Sequence, residues 1–165
     1  MKEVQICGYY PGVIGKITEL HAVYYNEYWG FDVSFETQVG RELSEFMNSF
    51  QPDRDGLWVP TLAGKFAGSI VIDGRQAQTD GARLRWFIVH PKFQNAGIGK
   101  ALISRAIEFC KNVGYARVYL WTFQGLDAAR KLYEGCGFEL KEEHQVMQWG
   151  QNIKEQMFTL DLLSE

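Results

Sequence analysis

Residues 86–100 read Trp-Phe-Ile-Val-His-Pro-Lys-Phe-Gln-Asn-Ala-Gly-Ile-Gly-Lys. An apolar run ends in a proline turn, crosses a loop punctuated by glycine, and opens into a long amphipathic segment. No other stretch constrains the fold as much, because it dictates strand, loop and helix in that order. The first N–H groups of a helix have no partner within it, and the aligned peptide dipoles favour an anion there. Such a strand-to-helix loop is a place that binds phosphate.

Two familiar phosphate patterns do not fit. A GxxxxGK[ST] loop would need glycine at position 94 and Ser or Thr at 101, where the chain has Gln94 and Ala101. A GxGxxG dinucleotide loop would need a third glycine where Leu102 stands. The pattern present is Gln-x-x-Gly-x-Gly over residues 94–99.

Around it, periodicity and turn residues predict the rest of the fold. A strand over 3–10 stops at Pro11-Gly12. Helices follow at 14–29, closed by Gly30, and at 33–50, with Phe35, Val39, Leu43, Phe46, Met47 and Phe50 on one face. Strands are expected at 57–63 and 66–73 around a Gly64-Lys65 turn. Another covers 82–89, with Leu84, Trp86 and Ile88 sharing a face. A helix over 97–113, a strand over 116–122 and a short helix over 126–135 come next. Strands 138–148 and 153–163 close the chain around Gly150-Gln151-Asn152. Strands joined by tight turns pair antiparallel, and those joined by helices usually pair parallel. The expectation is an α/β (α+β) fold in one domain, 1–165. About seven strands form a mixed, mostly antiparallel twisted sheet, flanked by about four helices.

Composition narrows the function. The chain has 165 residues, 46% hydrophobic and 22% charged, with net charge −3. This is a soluble globular composition without the basic excess of a nucleic-acid partner. No apolar run approaches a membrane span, and no leader segment is evident, so a cytoplasmic protein without membrane partner is expected. Cys7, Cys110 and Cys136 are scattered and odd in number, which argues against a disulfide framework. Cys110 and Cys136 read as structural thiols. No metal-ligand spacing is present among His21, His90 and His144.

The Gln94–Gly99 loop, preceded by Val-His-Pro, is joined downstream by Leu-Tyr-Glu-Gly-Cys-Gly-Phe at 132–138. Together, and with the order of elements, these resemble the GNAT superfamily of acyl-CoA-dependent N-acetyltransferases. Within it, Leu84–Val89 and Tyr119–Phe123 are most similar to acetyltransferase domains fused elsewhere to winged-helix regulators of the multiple-antibiotic-resistance type, here without the DNA-binding domain.

The resemblance implies acetyl-CoA as co-substrate. Gln94, Asn95, Ala96, Gly97, Ile98, Gly99 and Lys100 would cradle its pyrophosphate. Phe87, Ile88 and Val89 would offer backbone groups to the pantetheine arm, with Thr122 and Ala129 nearby. Leu126 stands where the family often has asparagine. Tyr133 matches the family's general acid, because a phenol of pKa about 10 is protonated at neutral pH and can donate to a departing thiolate.

The base is not readable. Many family members carry an acid on the strand before the loop, and here it reads Ala82-Arg83-Leu84-Arg85-Trp86. Glu27, Asp32, Glu36, His144 or a water chain are the candidates, Glu27 and His144 foremost. Arg85 would hold an anion or form a salt bridge. Tyr28, Trp29, Phe31, Trp121 and Trp149, with Arg85, are expected to wall an acceptor site for a primary amine of a small molecule or peptide. A homodimer is compatible with this reading. The competing reading is an acyl-CoA-binding sensor or regulatory module with weakened catalysis.

Overall fold

The computed structural model describes residues 3–163. Among them the elements run β1 (Val4–Cys7), α1 (Val13–Trp29), α2 (Val33–Asn48), β2 (Gly56–Leu62), β3 (Lys65–Phe66), β4 (Gly68–Asp73) and β5 (Ala82–Val89). Then come α3 (Ile98–Val113), β6 (Arg117–Phe123), α4 (Asp127–Gly135), β7 (Glu139–Gln148) and β8 (Gln151–Asp161). The strands form one sheet in the order β1-β2-β4-β5-β6-β8-β7, with β3 paired to β2. Every neighbouring pair is antiparallel except β5 and β6. This is the mixed α/β fold expected.

The two sheet faces are covered by different helices. Ile98, Leu102, Ile103, Ala106 and Cys110 of α3 are buried, a stripe that packs with Tyr133 of α4 against Ile70, Ile72, Ala82 and Leu84. The other face carries α1 and α2 through Val13, Ile17, Leu43 and Phe46, and through Leu20, Tyr25, Phe35 and Val39. Gly30 takes the left-handed conformation that ends α1. Asp32 caps α2 by accepting from the Ser34 N–H at 3.0 Å.

Several boundaries differ from the expectation. The first strand is only Val4–Cys7. The return after Gly64-Lys65 breaks into β3 and β4 at Gly68, whose φ is +149° and where a Cβ would sit 2.1 Å from the Ile88 carbonyl oxygen. Only glycine permits that approach. The final hairpin turns at Trp149-Gly150, both with positive φ, the geometry of a two-residue turn.

The largest departure is in β5. Its register against β4 slips between Ser69 and Val71, and Trp86 has φ +44°. This is a β-bulge, which changes the face a strand presents. Leu84 belongs to the core under α3, whereas Trp86 and Ile88 pack on the α1–α2 side, and Phe87 and Val89 take over on the α3 side. The expectation that Leu84, Trp86 and Ile88 share a face is therefore corrected. The hydroxyl of buried Ser69 donates to the Trp86 carbonyl at 2.7 Å and anchors the bulge.

Candidate active site

The parallel neighbours β5 and β6 pair only at Ala82↔Val118 and Arg83↔Tyr119. Beyond these the strands part, and a cavity of about 920 Å³ opens between them, lined by Leu84–Val89 on one wall and Leu120–Phe123 on the other. The β5 edge that faces the gap has no strand partner there. Backbone groups without a partner are satisfied by water or ligand.

One end of the cavity is the start of α3. Gly97 precedes the helix with φ +80° and supplies no side-chain cap, and the first helical bond is from Ala101 N–H to its carbonyl. The N–H groups of Ile98, Gly99 and Lys100 are thus unused by the helix, and all three residues line the cavity. Gln94, Asn95 and Gly97 line it too, whereas Ala96 does not. The Gln94 side chain donates to the Val89 carbonyl at 3.3 Å, tying loop to strand. His90 is structural: its Nδ1 accepts from the Lys92 N–H at 3.1 Å. Thr122, Ala129 and Leu126 are also in the wall, and Leu126 begins α4 without a side-chain cap.

Tyr133 reaches the cavity from α4. It is 6% exposed and sits among the rings of Phe87, Phe138 and Phe158. Burial, with a smaller contribution from Tyr25, raises its phenol well above the ordinary value. Tyr25, also in the wall, is raised for the same reason. Both phenols stay protonated through the neutral range.

The opposite end is built from α1, α2 and β8. Tyr28 is an exposed rim residue, and Trp29 packs edge-on against Phe123 at 4.9 Å. Trp121 and Trp149 line the cavity, and the Trp149 indole donates to Gln38 at 2.9 Å. Phe31 is removed from the acceptor wall: it is 2% exposed, enclosed by Tyr25, Phe35, Phe123 and Trp149. Arg85 lines the cavity, with its guanidinium held by Glu42 and Asp73.

Of the base candidates, Glu27, Asp32 and Glu36 are outside the cavity wall, and Glu27 is exposed. His144 is outside it as well, with its Nε2 2.7 Å from a carboxylate oxygen of Glu155. Glu155 does line the cavity, and sequence reading missed it. Its signal was the period of two along β8, which puts it on the face of Ile153, another lining residue.

His21 was likewise missed. It lines the cavity, and burial lowers its imidazole from 6.5 to about 4. Its Nδ1 lies 2.8 Å from the Ile17 carbonyl. Neutral at neutral pH, the ring donates from that nitrogen. Burial drives the Cys110 thiol up to about 12 and raises that of Cys136, which suits structural roles. Among the described residues no cluster of His, Cys, Asp or Glu could hold a metal ion, and no helix is long and apolar enough to cross a membrane.

The resemblance carried by residues 94–99 and 132–138 is matched by the family comparison. Residues 16–138 match the model of the acetyltransferase (GNAT) family. The chain belongs to this family. It is 32% identical to an uncharacterized N-acetyltransferase of Methanocaldococcus jannaschii over 124 residues, 73% of this chain and 55% of that protein. It is 36% identical to the N-acetylaspartate synthetase of Danio rerio over 88 residues, 53% of this chain and 31% of that protein. The chain thus spans about half or less of the length of these relatives, and neither name refers to a winged-helix fusion.

Solved acetyltransferase structures share the fold over nearly all of the chain. The ribosomal-protein-S18-alanine N-acetyltransferase of Escherichia coli superimposes with TM-score 0.73 at 18% identity, covering 99% of this chain and 96% of that one. The yncA protein of Salmonella typhimurium, solved with its cofactor acetyl-CoA, gives 0.73 at 15% identity over 98% and 95%. The GNAT family uses acetyl-CoA as co-substrate; in this chain the α3 start and the β5 edge beside the gap are where backbone groups stand open to a ligand.

Proposed function

We propose that the protein transfers the acetyl group of acetyl-CoA to a primary amine of a small molecule or peptide by direct attack. The observation that carries this is the parted β5–β6 gap, joined to the uncapped α3 start and walled by Tyr133. Bound acetyl-CoA supplies an activated thioester. The α3 N–H groups and the β5 edge orient it, and orientation alone contributes several kcal/mol to such a two-substrate reaction. Glu155, steadied by His144, takes the proton that the amine loses as its nitrogen bonds to the acyl carbon. Tyr133 gives its proton to sulfur as the carbon–sulfur bond breaks, and solvent restores it. No covalent enzyme intermediate is needed.

The acceptor wall supports an amine. The Tyr28 and Trp121 rings and the Glu155 carboxylate offer cation–π and charge contacts to an ammonium. The Danio rerio synthetase is named for an acetylated small-molecule amine, which favours the small-molecule form. The test is free-thiol release from acetyl-CoA across a panel of amines. Amine-dependent release is expected. Binding of acetyl-CoA with no release on any amine would favour a sensor module instead.

A further inference from the structure

Arg83 and Arg85 stand two residues apart on β5, and both line the cavity. Arg85 is held by Glu42 and Asp73, and Arg75 closes on Asp73 at 2.7 Å. Arg83 differs. Among the described residues no carboxylate pairs with it, and its Nε is shut off from solvent without a hydrogen-bond partner. A buried donor left unmade costs about 1–3 kcal/mol, and more when it is charged. Burial, reinforced by the Arg85 charge, pulls the Arg83 guanidinium below its ordinary value. Asp73 and Glu42 offset part of this charge at a distance, but among the described residues no side chain bonds to that Nε, so the group that would do so enters with a ligand.

The place of Arg83 says which ligand. It lies at the closed end of the gap, where β5 is still paired through Arg83↔Tyr119. Val89, beside the α3 loop, is six residues on, about 20 Å along a strand. Arg83 is therefore remote from the helix start that suits phosphates. Its one unmatched charge suits a monoanion, and a guanidinium fork matches a carboxylate.

Resting on the acetyl-transfer reading above, we infer that Arg83 receives the carboxylate of the acceptor, which makes the acceptor an amine that also carries an acid group, such as an amino acid. Glu155, which lines the same cavity from β8, serves the ammonium end of such a molecule.

The experiment follows thiol release from acetyl-CoA with amino acids and with their carboxamides. The wild type is expected to favour the acids by about 10- to 100-fold in kcat/KM. Arg83→Gln should bring that ratio close to one, mainly through KM, and Arg83→Lys should recover part of it. The melting temperature of Arg83→Gln should not fall, because the buried Nε that lacks a partner is removed. Equal use of acids and amides by the wild type, or an unchanged ratio in Arg83→Gln, overturns the inference. The acetyl-transfer reading fails differently, by release with neither class. In that case the site is read by thermal shift with N-acetyl amino acids against their amides. Stabilisation by the acids that Arg83→Gln abolishes supports the carboxylate site, and its absence overturns it.

Discussion

Glu155 and His144 face each other across the β7–β8 pair, with Nε2 of His144 2.7 Å from the Glu155 carboxylate, and Glu155 alone of the two lines the cavity. A carboxylate held from behind and open in front is suited to accept a proton. Glu155→Gln is expected to lower kcat by roughly 10–10³-fold, with acetyl-CoA affinity kept. His144→Ala should reduce kcat less, since it removes support and leaves the acceptor group. Unchanged turnover in Glu155→Gln would remove Glu155 from the mechanism.

Tyr133 brings the only proton of its kind from the α4 side among the cavity residues described. Tyr133→Phe keeps the ring packed among Phe87, Phe138 and Phe158 and deletes the hydroxyl. Turnover should fall by roughly 10–10³-fold, while the dissociation constant for acetyl-CoA, measured calorimetrically, stays nearly the same. Because burial raises the phenol, no neutral-range limb of the pH profile should vanish in this variant.

Ser69 holds the bulge that aims β5. Ser69→Ala leaves the Trp86 carbonyl without its 2.7 Å partner in a buried place. A loss of about 1–3 kcal/mol in unfolding free energy is expected, together with weaker acetyl-CoA binding. A stability loss with affinity intact would mean that the bulge does not shape the donor site.

His21 gives the fold a dependence on acid. The unfolded chain takes a proton near 6.5, and the folded protein only near 4. The contribution is complete above about 6.5 and fades as pH falls through 4, because the unfolded state binds the proton first. It amounts to about 3 kcal/mol at most. Urea unfolding at pH 7 and pH 4.5 should show a smaller acid-induced loss for His21→Leu than for the wild type. An equal loss would assign the acid sensitivity to other groups.

The order of elements was legible because α1, α2, α3 and the hairpin strands follow simple periods and stop at glycine or proline. The bulge was not. Trp86 interrupts the strand through a conformation that a tryptophan rarely adopts, and only the partner strand, with Ser69, reveals it. The same holds for the gap, since a sequence states which strands are parallel neighbours but not where they part. Phe31 and Tyr28 are aromatic residues on neighbouring stretches, one enclosed and the other exposed, and burial of that kind is decided by packing rather than composition. The Gln94–Lys100 loop could be read as a helix start because glycine spacing governs local backbone geometry, whereas Tyr133 was named only through the family resemblance of Leu132–Phe138. Glu155 and Arg83 depend on strands far apart in sequence that meet at the cavity.

The most direct measurement is a crystal structure of the protein with acetyl-CoA bound. The account predicts the pyrophosphate on the N–H groups of Ile98, Gly99 and Lys100, the pantetheine arm along Phe87–Val89, and the sulfur within hydrogen-bond reach of the Tyr133 hydroxyl. A cofactor seated outside the β5–β6 gap, or a sulfur turned away from Tyr133, would contradict it.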